Sequence, residues 1–212
     1  MKITIVYDNI ALHDELTADW GFSCFVETGK KNILFDTGGN GKILMENLLN
    51  LDINPLSITD IIISHPDFDH IGGLSTFLNA NDSAVIHVPI SFRGIRYPNK
   101  VMYYDKPTQI YENIFLTGEL GKREQSLAVK TAKGLVVIVG CGHPGIAEIF
   151  DVFSEFGKIY ALIGGLHDFN QFEILQNIEK ICPTHCTKHK DEIKSLYPEK
   201  FMEGGVGRVI KL

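Results

Sequence analysis

No stretch of this chain approaches the ~18 consecutive apolar residues that a membrane-spanning helix needs, so none is expected. The opening Met1-Lys2-Ile3-Thr4-Ile5-Val6 lacks the basic and apolar regions of an export signal and instead alternates like a strand. Cysteine is scarce, and the four present (Cys24, Cys141, Cys182, Cys186) form no CxxC pair. A cytoplasmic protein with free, reduced thiols is the expectation. Cys182 and Cys186 lie four apart, and Cys186 follows a histidine, but a structural zinc site wants two close pairs. Basic residues are outnumbered, 20 Lys and Arg against 26 Asp and Glu, giving a formal net charge of −6. That argues against nucleic acid or an anionic membrane as a partner, while leaving room for a small anionic substrate at a local positive site. There is no Pro/Gly/Ser-rich linker, low-complexity tract or long run of one charge, so one domain over residues 1–212 is expected. Oligomeric state is not encoded.

What is present is a core-forming composition, 44% apolar, and a recurring grammar: an apolar run, a turn rich in Gly, Asp or His, then a helical pattern. Asn32-Ile33-Leu34-Phe35 leads to Asp36-Thr37-Gly38-Gly39 and a helical stripe over 42–49. Asp60-Ile61-Ile62-Ile63-Ser64 leads to His65-Pro66-Asp67-Phe68-Asp69-His70 and a helix over 71–78. Strands at 134–139, 158–163 and 179–183 lead to Gly140-Cys141-Gly142-His143, Gly164-Gly165-Leu166-His167 and Thr184-His185, with a helix over 146–153 after the first. Short β-branched runs bounded by glycine predict strands buried on both faces. Their alternation with helices predicts an α/β architecture. The segment from 84 to 116 differs, with short strand-like pieces and many aromatics, and the glycine-rich tail predicts a last strand.

Asp36, His65, His143, His167 and His185 all stand just past the ends of successive strands. Sites in α/β sheets form outside the carboxyl ends of strands. Any one histidine there is readily explained as a satisfied polar residue; the set is not. The densest cluster puts His65, Asp67, Asp69 and His70 into six positions between a strand and a helix. A turn there lets His65 and Asp67 face one point while Asp69 and His70 face another, as two metals roughly 3.5–4 Å apart require. Capping of the helix would account for the aspartates but for neither histidine. The turns Gly38-Gly39-Asn40-Gly41 and Gly140 to Gly145 lack the Lys-Ser/Thr ending of a phosphate-binding loop.

With these residues the chain resembles the metallo-β-lactamase superfamily, whose signature is His-x-His-x-Asp-His after a strand. Within it the chain is similar to the subgroup of dihydropterin-methyl-ribofuranosyl-aminobenzene-phosphate synthases and related metal-dependent hydrolases. The likeness rests on Trp20-Gly21-Phe22-Ser23, Thr117-Gly118-Glu119, Gly140-Cys141-Gly142-His143, the turn ending at His167, and Thr184-His185-Cys186-Thr187, in that order. The resemblance implies an αββα four-layer sandwich with the site at one edge. It implies one or two divalent metal ions, zinc, iron or manganese, the first held by His65, Asp67 and His143, the second by Asp69, His70 and His185. The superfamily's bridging carboxylate falls near His167 or Asp168, of which either could ligate; His167 could instead give a proton or touch substrate. Asp36 would orient a ligand through hydrogen bonds. Asp67 departs from the pattern, standing where the superfamily has its second histidine, and its hard oxygen shifts preference from zinc towards iron or manganese.

The activity implied is hydrolysis of an ester, lactone or phosphoester of a small anionic molecule by metal-activated water, with Asp69 aiming that water. Cys141, between two glycines, is expected to pack rather than attack. Arg93, Arg96, Lys100 and Lys106, among Tyr97 and other aromatics, make the segment 91–106 a candidate cover for the site, with Arg93, Arg96 and Tyr97 binding the anion. The alternative there is a solvated loop of snorkelling side chains. Three other functions compete: a pterin-pathway synthase acting on a phosphorylated intermediate, a di-iron redox domain, and a non-catalytic, metal-stabilised binding module.

Overall fold

Strands that must be buried on both faces have to be apolar on both sides of the pleat, and the runs picked out above meet that condition. In the computed structural model, which describes all residues 1–212, thirteen strands form two mixed sheets. The first sheet takes β1 (Lys2–Tyr7), β2 (Ser23–Glu27), β3 (Asn32–Phe35), β4 (Asp60–Ile62), β5 (Val85–Pro89) and β6 (Val101–Tyr104) in sequence order. The chain's last strand, Val209–Lys211, closes its far edge against β1. The second sheet runs β7 (Thr108–Tyr111), β8 (Ile114–Leu116), β9 (Leu127–Thr131), β10 (Gly134–Val139), β11 (Ile159–Gly165) and β12 (Lys180–Thr184).

Three apolar clusters define four layers. Ile3, Ile5, Phe35 and Ile62 meet Leu116, Val136, Ile138 and Ile163 between the two sheets. On the outer face of the first sheet, Leu34, Ile61 and Ile86 pack against Leu44 and Leu48 of α1 (Gly41–Asn50) and Phe77 and Leu78 of α3 (Leu74–Ala80). On the outer face of the second, Leu135, Val137 and Leu162 pack against Ile149 and Phe153 of α4 (Ile146–Ser154) and Ile193 of α5 (Lys190–Leu196). The chain is thus an αββα sandwich. The helix expected over 71–78 divides into a one-turn α2 (Phe68–Ile71) and α3. Gly72 and Gly73 stand between them because the backbone there presses on its neighbours: a Cβ at Gly72 would sit 2.2 Å from Gly39 O, and one at Gly73 2.2 Å from Thr37 O.

β3 and β4 run parallel, as do β10, β11 and β12. Within each sheet their carboxyl ends therefore reach one edge. The loop joining β8 to β9 stitches the two sheets there: Gln125 donates to the carbonyls of Ile63 and His87, and its own N–H bonds Ser64 O.

Candidate metal centre

At this edge the donor atoms of His65, Asp67 and His143 lie within 4.8 Å of one another, and so do those of Asp69, His70 and His185. His65 Nε2 stands 3.5 Å from Asp67 Oδ2. His185 Nε2 stands 3.1 Å from Asp69 Oδ2, and His70 Nε2 3.9 Å from that same oxygen. Asp67 occupies the N-cap position of α2 yet makes no capping bond. Its carboxylate faces His65 and the guanidinium of Arg123 instead.

Each of the four histidines is held the same way. His70 Nδ1 bonds Asp36 Oδ2 at 2.7 Å, His143 Nδ1 bonds Glu124 Oε2 at 2.8 Å, and His185 Nδ1 bonds Asn9 Oδ1 at 3.0 Å. These partners only accept, so each Nδ1 carries the proton. Ser64 Oγ gives its own proton to Asp36 and so accepts from His65 Nδ1 at 2.8 Å. Every Nε2 is left with a bare lone pair. Two of the four, on His185 and His70, look onto a carboxylate oxygen and onto sulfur, and His65 Nε2 is buried without any partner. Converging, unpartnered donors that are fixed through their other nitrogen fit a divalent cation. Asp36 does more than orient one ligand: it also takes the Ser64 N–H at 2.7 Å, so one carboxylate places both His65 and His70.

At two of the four histidines, electrostatics point the same way. Burial, then the neighbouring His70 and His143 rings, push His65 down to about 3; burial and His70 push His185 down to about 4. Both are neutral near pH 7 and free of proton competition for a metal. Burial lowers His70, but Asp36 outweighs it and the net shift is upward. Glu124 is pushed up by burial, yet the bond from His143, the charge of His65 and the N–H groups of Gly142 and Cys141 bring it to about 2.

Several residues of this centre escaped the sequence reading. Glu124 accepts from the N–H groups of Cys141, Gly142 and His143 at 3.0, 3.0 and 3.1 Å as well as from the His143 ring. It shapes the whole loop after β10. Asp8 Oδ1 accepts from His185 N at 2.9 Å, and Asn9 holds the ring, so the end of β1 in one sheet positions a residue of the other. Trp20, half exposed, donates its indole N–H to Asp69 Oδ2 at 2.9 Å. The Trp20 motif was visible in sequence, but not its bond to Asp69. The others were not, because no spacing rule links residues so far apart.

Five of the expected site residues stand outside the two donor triads. Asp168 is not drawn to the bridging position: it is exposed and pairs with Lys188 Nζ at 3.0 Å. His167, held at φ 46, also stays outside both donor groups. It lines a cleft of about 240 Å³ with His143, Leu166 and Phe169, its ring 5.2 Å from that of His143. Arg93, Arg96 and Tyr97 are not brought to the cluster either. Phe92 anchors their loop in the core beside α3, Arg93 Nη1 is spent on the carbonyls of Ile90 and Phe92, and Tyr97 reaches Ser75 O at 3.4 Å. The cation that does reach the cluster is Arg123.

A two-sheet sandwich with histidines and aspartates converging at one edge is the frame of a metal-dependent, hydrolase-like fold. The sequence model of the metallo-beta-lactamase superfamily matches residues 18–147, and the chain belongs to that superfamily. It is 27% identical to the 7,8-dihydropterin-6-methyl-4-(beta-D-ribofuranosyl)-aminobenzene-5'-phosphate synthase of Methanocaldococcus jannaschii, over 98% of this chain and 95% of that protein. Among solved structures, a metal-dependent hydrolase of the beta-lactamase superfamily superposes with TM-score 0.82 at 24% identity, covering 100% of this chain and 99% of the other. A metallo-beta-lactamase fold protein of Bacillus subtilis superposes with TM-score 0.72 at 14% identity, covering 99% of each. The fold implies divalent metal binding. No helix is long and apolar enough to cross a membrane.

Proposed function

We propose that this protein is a hydrolase that uses one or two divalent ions, zinc, iron or manganese, on an ester, lactone or phosphoester of a small anionic molecule. The observation that carries this reading is the convergence of four histidine Nε2 lone pairs and two aspartates, each histidine clamped through Nδ1. His65, Asp67 and His143 would hold one ion; Asp69, His70 and His185 a second. When bound, such ions supply Lewis acidity and make water acidic enough to act as a nucleophile near neutral pH.

The chain's own residues supply the rest. Trp20 fixes Asp69 Oδ2, leaving the carboxylate oriented to accept a proton from the attacking water. His167, half exposed on the cleft beside His143, would give a proton to a leaving group. Arg123, beside Asp67, supplies the positive charge for an anionic substrate, the role expected of Arg93 and Arg96.

The test begins with elemental analysis of protein purified without added metal. Zinc-, iron- and manganese-loaded samples are then assayed against matched aryl phosphodiesters, carboxylic esters and lactones. Turnover that disappears in His65→Ala and Asp69→Asn supports the reading. Stoichiometric metal with no turnover on any substrate would leave a metal-stabilised binding module. A second enzymatic reading, synthase chemistry on a phosphorylated pterin intermediate, is favoured by one observation: the 27% identity to the archaeal synthase extends over nearly all of both chains.

A further inference from the structure

Cys141 was expected only to pack between its flanking glycines. Its sulfur instead lies 3.1 Å from His70 Nε2, buried at the heart of the cluster. It shares one donor group with His65 and His70, which belong to different halves of the centre, and another with His185 and Cys186. A thiol that merely filled space would face apolar atoms; this one faces imidazoles whose lone pairs are unspent. Its placement is enforced. The Glu124 carboxylate grips the N–H groups of Cys141, Gly142 and His143, fixing the loop so that Sγ projects inward.

The space beside it explains why sulfur is needed. β11 ends at Gly165 with no side chain, and Asp168 turns out to Lys188, so the end of β11 and the turn after it bring no carboxylate to the centre. A Cβ at Gly165 would sit 2.7 Å from Cys186 Sγ and 3.3 Å from Cys141 Cα. The two sulfurs, 3.3 Å apart, occupy that side of the centre.

We propose that Cys141 Sγ is a thiolate ligand of the metal centre, standing between the two donor triads where the end of β11 brings no carboxylate, with Cys186 as its hydrogen-bond partner. This rests on the metal centre proposed above and adds a ligand to it. On binding, the Cys141 S–H bond breaks, the proton leaves to solvent, and the sulfur lone pair forms the bond to the ion; no redox change occurs. The consequence is for metal choice. Asp67 offers a hard oxygen that suits manganese, but a soft thiolate shared by both halves selects zinc or iron over manganese.

The test is cobalt(II) substitution of the reduced, full-length protein, with Cys141→Ser and Cys186→Ser alongside. The wild type should show both the visible d–d bands of bound cobalt and a near-ultraviolet sulfur-to-cobalt charge-transfer band. Cys141→Ser should lose the charge-transfer band and keep the d–d bands; Cys186→Ser should keep both. Should Cys141→Ser fail to fold, zinc-edge X-ray absorption of the wild type decides, with a sulfur scatterer expected at about 2.3 Å. Cobalt bound without a sulfur band, a zinc shell of nitrogen and oxygen alone, or a band lost only in Cys186→Ser would overturn the thiolate while leaving the metal centre intact. Failure to take up any cobalt or zinc would overturn both.

Discussion

Glu124 offers the sharpest perturbation, because it touches no substrate in the proposed reaction and yet shapes the centre. It is fully buried and accepts four hydrogen bonds: Oε1 from the N–H groups of Cys141 and Gly142, Oε2 from the N–H and the ring Nδ1 of His143. In Glu124→Gln the amide oxygen can keep the first two. The amide nitrogen then confronts two donors, so two charge-assisted bonds are lost and two N–H groups are stranded. Hydrogen bonds to charged groups are worth roughly 1.5–3 kcal/mol each, part of which water entering near His143 restores. A net destabilisation of about 3 kcal/mol follows, lowering the melting temperature of a chain this size by roughly 6–12 °C. The His143 ring also loses the acceptor that fixes its tautomer, which should weaken metal affinity about 10- to 100-fold. Circular-dichroism melts of the metal-free protein read the first effect, and chelator competition with zinc reads the second. Glu119→Gln is the control, since Glu119 accepts only the exposed Ser91 N–H. A Glu124→Gln protein that melts within about 2 °C of wild type and binds zinc equally well would refute the reasoning.

The remaining predictions concern catalysis, substrate charge and pH. Asp69→Asn should lower kcat far more than it raises KM, because the lost proton acceptor acts in the transition state; steady-state kinetics showing intact kcat would remove Asp69 from that role. Arg123→Ala should weaken an anionic substrate about 10- to 100-fold relative to a matched neutral ester, with Arg93→Ala and Arg96→Ala changing neither; equal losses on both substrates would count against Arg123. Asp60, buried at the start of β4, is pushed up by burial, but bonds from His87, Thr59, Tyr111 and Lys31 outweigh this and hold it well below its ordinary 3.8. A carboxyl depressed by folding stabilises the protein above its unfolded range, and that contribution is lost as pH falls towards the folded value. Wild-type stability should therefore drop on acidification below about pH 4, and urea melts of Asp60→Asn should show a flatter acid limb; parallel limbs would show that Asp60 is not the group concerned.

The legible part of this protein was local. The strands over 134–139 and at β3 and β4, the helices near 42–49 and 146–153, and the crowding of His65, Asp67, Asp69 and His70 into one turn all follow from neighbours in sequence. Backbone periodicity and a strand-to-helix turn act over a few residues. That is also why Asp36, His143 and His185 could be singled out: each stands at the end of its own apolar run. Which residues meet them was decided by the stacking of two sheets. Glu124 grips a loop 17 to 19 residues on, Asn9 steadies a histidine 176 residues away, and Cys141 reaches Cys186 across 45. Arginine placement shows the same division. The sequence displays a basic, aromatic stretch at 91–106, but the burial of Phe92 turns it against α3, while the lone Arg123 is carried to Asp67 by a loop that crosses between the sheets. Composition can say that a positive charge is available. Only the apolar contacts that seat each loop, which form between residues distant in the chain, determine where that charge stands.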